Sequence, residues 1–291
     1  MKIGFIGLGI MGESMCENIV KKSNSPVYCS DLNKAQVEKL AKTGAIPCQN
    51  NIEVAKNADI IITMVPKSVH VKAVYEEILP YITKGKICID MSTIDPSVSV
   101  SVAQKVKAQG AEFADAPVVK SKPAAIAGKL GILVGCDEAL FPVIRPVLEY
   151  MGEKVIRMGE NGRGLVMKIC HNTLVGEIQN GVNETMLLAG KMGIAPDLFA
   201  EAVCAGGGQC FYLDSQWEKL MKEDFSTAFS IENMHKDITI AENLAEENGF
   251  SMPGLENVKK VYDKAVDSGI GKEDFRATYK VVRGDFDAGK A

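Results

Sequence analysis

Three glycines near the N-terminus have the spacing of a turn that binds a dinucleotide. Gly7, Gly9 and Gly12 follow a short apolar run, residues 3–6, and open a helical pattern. In such a turn the first glycine permits a tight bend, the second lets the backbone approach a pyrophosphate, and the third lets helix and strand pack closely. The phosphates would lie at the helix N-terminus, where unpaired N–H groups favour negative charge. The other predicted contacts in this turn are Ile10 and Met11.

Asp31 bears on which dinucleotide is bound. It lies nineteen residues beyond Gly12, at the end of a second predicted strand, residues 27–30. A carboxylate at this position accepts hydrogen bonds from the adenosine ribose and repels a 2′-phosphate. The alternative is that Asp31 only caps the next helix. Because residues 32–34 include no arginine to receive a phosphate, we expect NAD rather than NADP.

Lys168 and Asn172 are the residues whose types and spacing suggest a reaction. They are four residues apart, which places them on one face of a helix. Lys168 interrupts an otherwise apolar stretch, residues 165–170. A lysine in such a stretch either extends its ammonium to solvent or has a function. The residues alone leave these two interpretations open.

The elements that must position these residues follow a clear pattern in the first half of the chain. Short apolar runs rich in Ile and Val alternate with helical stretches, which is typical of strands buried on both faces of a parallel, doubly wound sheet. The strand candidates are residues 3–6, 27–30, 59–65, 86–91, 113–117 and 131–135, and the helix candidates are 14–22, 34–43 and 98–109.

The second half of the chain is predicted to be helical. After Gly162 the strand signals stop, and helical periodicity covers residues 165–191, 196–205, 231–248 and 254–267. We therefore predict an N-terminal Rossmann domain, residues 1–162, and an all-helical substrate and dimerisation domain, residues 163–291. The helix at 165–191 would be roughly 40 Å long, enough to form part of both domains.

Composition excludes several classes of protein. A hydrophobic content of 46% and a net charge of −4 indicate a globular chain without the basic surface that nucleic acid requires. No apolar run reaches the ~18 residues of a membrane span, and the N-terminus lacks a signal-peptide core, so we expect a cytoplasmic protein. The eight cysteines form no Cys-x-x-Cys pair and the three histidines lie far apart, which argues against a metal site.

Five motifs in order resemble those of the β-hydroxyacid dehydrogenases over nearly the whole chain. This family includes 3-hydroxyisobutyrate dehydrogenase, tartronate semialdehyde reductase and, more distantly, 6-phosphogluconate dehydrogenase. The resemblance implies an oxidoreductase that transfers a hydride between NAD(H) and a small 3-hydroxy acid or its aldehyde, assembled as a homodimer or homotetramer. The motifs are residues 5–12, 90–93, 115–118, 162–172 and 235–237.

The resemblance also implies roles for single residues. Lys168 corresponds to the catalytic acid/base, whose ammonium would stabilise and protonate the oxyanion of a reduced aldehyde. Asn172 would hold the substrate, and His171 stands where relatives usually have a second asparagine. The residues expected at the cofactor are Thr93 beside the nicotinamide, Lys236 nearby, and Met64, Val65 and Pro66 along the adenosine and ribose.

The loop after residue 118 departs from the family pattern. Relatives usually continue Ser-Gly-Gly, which grips the substrate carboxylate, whereas this chain reads Val119, Lys120, Ser121. Sulfolactaldehyde reductases of the family carry Arg-Thr there, which Lys120 and Ser121 resemble; glyoxylate and succinic semialdehyde reductases match through Ser121 and Lys122. The alternative is that this is a surface loop whose lysines are solvated and bind no substrate. We expect Lys120 and Ser121 to bind an anionic tail, with reduction of 3-sulfolactaldehyde to 2,3-dihydroxypropane-1-sulfonate as the leading candidate.

Other functions on the same fold are an alternative. Imine reductases and non-catalytic NAD-binding proteins of this fold lack the catalytic lysine, so the presence of Lys168 and Asn172 argues against both. Among dehydrogenases, 3-hydroxyisobutyrate, tartronate semialdehyde, glyoxylate and succinic semialdehyde stay as alternative substrates.

Overall fold

The computed structural model describes residues 1–287, which form two compact units. The first unit comprises Met1–Lys168, and the second begins at Ile169. The division falls inside one 29-residue helix, Arg163–Lys191. Its start belongs with the first unit because Leu165 is buried in a core of that unit, whereas Ile169 is buried in a core of the second.

The strands all belong to the first unit and form one sheet. They are β1 Ile3–Ile6, β2 Val27–Ser30, β3 Ile46–Pro47, β4 Ile60–Thr63, β5 Ile87–Asp90, β6 Glu112–Asp115, β7 Val118–Val119, β8 Leu130–Gly135 and β9 Gly152–Gly159. The order is β3-β2-β1-β4-β5-β6-β8-β7, with β9 paired to β8. The chain thus reverses its direction across the sheet between β1 and β4, and ligands of open α/β sheets bind outside the strand ends at such a point.

The predicted parallel sheet is confirmed, and it carries an antiparallel extension. Strands β1 to β6 pair in parallel, whereas β8 runs antiparallel to β6 and β7. Ten residues separate β7 from β8, too few for the crossover that a parallel neighbour requires. Strand β9 then pairs in parallel with β8.

Helices cover both faces of this sheet. They are α1 Gly12–Lys22, α2 Lys34–Ala41, α3 Asn51–Asn57, α4 Ser68–Ile78, α5 Pro96–Ala108, α6 Lys122–Ala127 and α7 Phe141–Leu148. Ile60 and Ile62 of β4 pack in one core with Met15 of α1, whereas Ile61 packs in a second core with Val54 of α3. Successive side chains of a strand point to opposite faces, so this alternation explains the unbroken apolar runs.

The helical second half is also confirmed. Its helices are α8 Arg163–Lys191, which starts in the first unit, α9 Pro196–Cys204, α10 Phe211–Met221, α11 Ile231–Glu247, α12 Pro253–Asp267 and α13 Thr278–Arg283. Ile169 packs with Ile238 and Tyr262 in one core, and Met186 packs with Leu213 in another. No helix among residues 1–287 is long and apolar enough to cross a membrane.

The cysteines differ between the two units. All eight are free thiols: Cys16, Cys29, Cys48, Cys88 and Cys136 are buried in the first unit, whereas Cys170 is exposed and Cys204 and Cys210 are half-buried in the second. Within the described part of the chain, no cluster of three His, Cys, Asp or Glu side chains could hold a metal ion. The buried thiols behave as small apolar groups in their cores.

Candidate active site

The residues predicted to bind the cofactor in the first unit meet at one edge of the sheet. Gly7 follows β1, Asp31 follows β2, Met64 follows β4 and Thr93 lies three residues beyond β5. These are the carboxyl ends of parallel strands, so the residues lie along a single edge that includes the β1–β4 switch point. Val65 is half-buried and Pro66 is exposed in the loop after β4.

The three glycines of the turn are required for different reasons. Gly7 has a φ of +97°, and a Cβ placed on it would lie 2.3 Å from the Met64 carbonyl oxygen. A Cβ on Gly12 would lie 2.0 Å from the Gly7 carbonyl oxygen, so the neighbouring backbone excludes any side chain. A Cβ on Gly9, in contrast, would meet no protein atom within 4 Å. Gly9 therefore leaves open space where the fingerprint places a pyrophosphate, and the turn fits a dinucleotide.

The rest of the turn agrees with this fit. The helix α1 begins at Gly12, with Met11 half-buried before it. The Ile10 side chain is 56% exposed although it is large and apolar. An exposed apolar side chain beside an anion-binding helix start is suited to cover a bound nucleotide.

Asp31 is oriented by the glycine turn itself. Its Oδ2 accepts a hydrogen bond from the Leu8 N–H at 2.6 Å, and its Oδ1 accepts one from the Asn33 N–H at 2.7 Å. Helix α2 is capped by the Asn33 side chain, which accepts from the Ala35 N–H. The alternative in which Asp31 caps this helix is therefore not what the structure shows. Lys34 Nζ donates to the Gln49 carbonyl at 2.7 Å.

A buried network joins the ends of β4 and β5. Asp90 Oδ1 accepts hydrogen bonds from Thr63 Oγ1 and Ser92 Oγ, both at 2.7 Å, and Ser92 Oγ accepts one from the Val65 N–H at 2.9 Å. Asp90 Oδ2 is buried and finds no hydrogen-bond partner among residues 1–287. Burial raises the pKa of Asp90 to about 6. The network fixes the loops that carry Val65 and Thr93 relative to each other.

Lys168 lies on the second turn of α8 and is only 7% exposed. The first turn of that helix is held by Asp115, the last residue of β6. Asp115 Oδ1 accepts from the Gly162 N–H at 2.6 Å and Oδ2 from the Leu165 N–H at 3.0 Å. Burial raises the pKa of Asp115 to about 6, against the opposing effect of these N–H donors.

In the second unit, Asn172 and Lys236 share one buried carboxylate. Asn172 Nδ2 donates to Asp237 Oδ2 at 2.6 Å, and Lys236 Nζ lies 3.2 Å from Asp237 Oδ1. His171 Nδ1 lies 3.1 Å from Asn172 Oδ1. Asp237 is fully buried, so it holds the Asn172 amide in one orientation, and His171 contacts the opposite end of that amide.

The loop at 119–121 contains no glycine, yet its backbone is left-handed at Lys120. Lys120 has a φ of +78°, in the left-handed region that favours glycine. Its Nζ donates to the Lys129 carbonyl at 3.0 Å and to Glu153 Oε1 at 2.5 Å. Val119 pairs with Gly131 of β8, and Ser121 precedes α6. In this structure the ammonium of Lys120 thus forms an exposed ion pair, and its contact with a substrate stays a prediction.

Three buried carboxylates were not singled out from the sequence. Asp90, Asp115 and Asp237 each lie inside one of the five motifs that resemble the family's, at residues 90–93, 115–118 and 235–237. Each accepts hydrogen bonds that orient a loop or a predicted site residue. An aspartate at the end of an apolar strand was the available signal for Asp90 and Asp115, because a carboxylate is rarely buried without a partner.

Comparison with known proteins gives two family matches. Residues 2–159 match the NAD binding domain of 6-phosphogluconate dehydrogenase, and residues 162–282 match the model described as NAD-binding of NADP-dependent 3-hydroxyisobutyrate dehydrogenase. The chain is 33% identical to 2-(hydroxymethyl)glutarate dehydrogenase of Eubacterium barkeri, covering 97% of this chain and 94% of that protein. It is also 33% identical to mitochondrial 3-hydroxyisobutyrate dehydrogenase of Drosophila melanogaster, covering 97% and 89%.

Solved structures agree with these matches. The chain superposes on 3-hydroxyisobutyrate dehydrogenase of Mycobacterium tuberculosis, solved with L-serine, with a TM-score of 0.90 and 28% identity. The match covers 97% of this chain and 99% of that one. Both units are therefore present in the related protein, in the same order.

Proposed function

The chain belongs to the β-hydroxyacid dehydrogenase family that includes 3-hydroxyisobutyrate dehydrogenase, and we propose that it reduces a short aldehyde bearing an anionic tail, or oxidises the matching 3-hydroxy acid. Bound NADH supplies a hydride to the carbonyl carbon. The observation that carries the proposal is the position of Lys168, a lysine withdrawn from solvent on a helix whose start is hydrogen-bonded to the sheet.

Lys168 is proposed as the acid/base. Hydride addition leaves charge on the carbonyl oxygen, and a positioned ammonium both stabilises that charge and donates the proton. In the oxidation direction the amine takes the proton of the hydroxyl group. Asn172, one helical turn further along, holds the substrate with an amide that Asp237 orients.

NAD is proposed as the preferred cofactor because of Asp31. The carboxylate already accepts two backbone N–H groups beside the glycine turn, which keeps it at the edge where the adenosine ribose would lie. A 2′-phosphate would face this negative charge, and Lys34 is engaged with a carbonyl group. Thr93 and Lys236 are proposed to complete the cofactor contacts.

The anionic tail is proposed from the loop at 119–121. Ser121 offers a hydroxyl group and the loop offers backbone N–H groups, which suit a carboxylate or the three oxygens of a sulfonate. The ammonium of Lys120 would leave Glu153 and pair with the anion of the substrate, because an exposed ion pair contributes little stability and breaks easily. The E. barkeri relative is named for 2-(hydroxymethyl)glutarate, a dicarboxylate, which supports an anionic substrate other than 3-hydroxyisobutyrate.

A panel of substrates tests this assignment. Initial rates are measured with NADH and NADPH for 3-sulfolactaldehyde, methylmalonate semialdehyde, tartronate semialdehyde, succinic semialdehyde and glyoxylate, and with NAD for 2-(hydroxymethyl)glutarate. Every compound of the panel carries an anion, so the panel compares the tails, and we expect kcat/KM to be highest for 3-sulfolactaldehyde. Equal kcat/KM for methylmalonate semialdehyde and 3-sulfolactaldehyde would remove the case for a specialised tail site.

The role of Lys168 is tested by Lys168→Ala. We expect kcat to fall at least about a hundredfold, the usual size of an acid–base contribution, while the Kd for NADH stays within about twofold. Lys191→Ala is the matched control, because it removes an exposed lysine at the other end of the same helix. Full activity of Lys168→Ala would show that another group transfers the proton.

Exposed apolar side chains in the second unit bear on the assembly of the protein. Large apolar side chains are exposed at the end of α8 and on α9, and they support a homodimer or homotetramer: Leu188, Met192 and Leu198. Light scattering after size exclusion would give the mass of the assembly. A cytoplasmic location stays a prediction.

A further inference from the structure

We propose that Asp115 is a positioning residue for proton transfer by Lys168, because it sets where α8 begins. The inference rests on the proposed role of Lys168. Asp115 is fully buried at the carboxyl end of β6, inside the sheet rather than on the helix it contacts. Its two carboxylate oxygens accept N–H groups from Gly162 and Leu165, on either side of the helix start at Arg163.

These two hydrogen bonds fix both the rotation of α8 about its axis and its position along that axis. Leu165 precedes Lys168 by three residues, so the N–H held by Asp115 lies one turn below the lysine on the same side of α8. A bond on each side of the first turn limits both rotation about the helix axis and sliding along it. The negative charge also complements the positive end of the dipole of a 29-residue helix.

The packing around Asp115 leaves little space for another arrangement. A Cβ on Gly164 would lie 2.4 Å from the Leu133 carbonyl oxygen and 2.8 Å from Asp115 Oδ2. A Cβ on Gly135 would lie 2.5 Å from Asp115 Oδ1. The helix start therefore rests directly on the sheet, with the carboxylate enclosed between two glycines.

A second side chain ties the same segment to the same strands. Asn161, half-buried just before α8, donates from Nδ2 to the Phe113 carbonyl at 2.9 Å and to the Gly135 carbonyl at 3.1 Å. Phe113 lies on β6 and Gly135 ends β8. Hydrogen bonds within the first unit thus tie the start of the helix that carries Lys168 to β6. The chain after β6 leads to the loop at 119–121.

The main test is Asp115→Asn, which keeps the shape but places an amide donor against N–H groups. We expect kcat with NADH and the preferred aldehyde of the panel to fall about 10- to 100-fold, as a small misplacement of a reacting group does. The Kd for NADH should stay within about twofold, because the glycine turn is untouched. Asn161→Ala removes the two hydrogen bonds that this half-buried side chain donates to the Phe113 and Gly135 carbonyls. It should lower kcat by about three- to tenfold.

Two controls separate positioning from loss of structure. Leu40→Ala removes a buried side chain on α2, at the opposite end of the strand order, and should lower the Tm while kcat at 20 °C is kept. In the double variant Lys168→Ala/Asp115→Asn, the second change should lower kcat no further, because its effect acts through the missing lysine. A merely structural role would lower kcat by the same factor in both backgrounds.

The outcomes are distinct. A kcat within twofold of wild type for Asp115→Asn and Asn161→Ala, with Lys168→Ala inactive, overturns the positioning role and leaves the proposed function standing. Additive losses in the double variant overturn it as well. An active Lys168→Ala overturns the proposed role of Lys168 and this inference together, whereas the substrate panel tests the proposed reaction separately. If Asp115→Asn fails to fold, Asn161→Ala and its double variant with Lys168→Ala decide the question.

Discussion

The glycine turn after β1 and the loop after β7 lie on the same sheet, and both use left-handed backbone, but in different surroundings. At Gly7 the Met64 carbonyl occupies the space that a Cβ would need. At Lys120 the side chain extends along the surface to Glu153 and the Lys129 carbonyl. A left-handed residue other than glycine costs only about 1–2 kcal/mol where its side chain has room.

This difference separates what the family shares from what the chain can vary. The cofactor turn admits only glycine at Gly7 and Gly12, so its sequence pattern is narrowly constrained. The loop at 119–121 tolerates other residues on the same backbone path, so its sequence can follow the substrate. Specificity for the aldehyde is therefore expected to depend on the second loop, and binding of the dinucleotide on the first.

The strongest test of the comparison is Gly7→Ala. The methyl group collides with backbone at a φ that alanine disfavours, so we expect a loss of at least about 2–3 kcal/mol in the free energy of unfolding and no measurable NADH binding. Gly9→Ala is the matched control, since its methyl group meets no protein atom within 4 Å. It should unfold at the wild-type urea concentration but bind NADH at least about tenfold more weakly, because the methyl group occupies the pyrophosphate space. Wild-type NADH affinity in Gly9→Ala would contradict this placement.

Asp31→Ser tests the selectivity of the first loop. Loss of the hydrogen bonds that the ribose donates to the carboxylate should lower kcat/KM with NADH by about 10- to 100-fold. The kcat/KM with NADPH should rise, because the repulsion of a 2′-phosphate is removed. Glu38→Ser, an exposed change of the same charge on α2, should leave the ratio of the two cofactors unchanged. An unaltered ratio in Asp31→Ser would mean that Asp31 only supports the glycine turn.

The second loop is tested by changing either member of its ion pair. Glu153→Gln releases the Lys120 ammonium, so the KM for 3-sulfolactaldehyde should fall by about two- to fivefold; Lys120→Met should raise it by about five- to tenfold. Glycolaldehyde, which has no anionic tail, is the control substrate and its KM should not change. If neither variant alters the KM for the sulfonate, Lys120 serves only to anchor the loop.

The smallest effect, on the free energy of unfolding, is expected from Asp90, the buried carboxylate that links the ends of β4 and β5. Burial raises the pKa of Asp90 to about 6, above its value in the unfolded chain, so the folded state binds this proton more tightly. The stabilisation is complete below about pH 4 and is lost as the pH rises through about 6. Between pH 7.5 and pH 5.0 the wild type should gain about 1 kcal/mol from this group, and Asp90→Asn should lack that gain. Urea denaturation at both pH values measures the difference; an equal gain in the variant would assign it to other carboxyl groups, such as Asp115.

The sequence predicted those elements whose signals are local. Strands β1 and β2 are found at the predicted residues, and α8 differs from its prediction by two residues at the start. Gly193 and Gly249 lie just beyond α8 and α11 with φ of +85° and +74°, the left-handed backbone that glycine commonly adopts after a helix. Strand β9 was not predicted, because its exposed charges, such as Glu153 and Lys154, hide the apolar pattern of an edge strand.

The candidate site, like the fold, was predictable where its signals are local in sequence. The glycines, Asp31 and Lys168 follow from spacing within a few residues and from the resemblance. The partners that orient them come from distant parts of the chain: Asp115 contacts Leu165 fifty residues later, and Asp237 contacts Asn172 sixty-five residues earlier. Such pairings depend on the tertiary fold, and no local pattern of residue types encodes them.

The uneven distribution of thiols makes the two units chemically distinguishable without any engineered probe. In the native protein a maleimide can reach Cys170, Cys204 and Cys210, whereas five cysteines stay inaccessible inside the first unit. Each reacted thiol adds a fixed mass, so the number of adducts per molecule reports how many cysteines have become accessible. A pulse of label followed by mass spectrometry would therefore record opening of the nucleotide-binding half as a step beyond three adducts, and bound cofactor should delay that step.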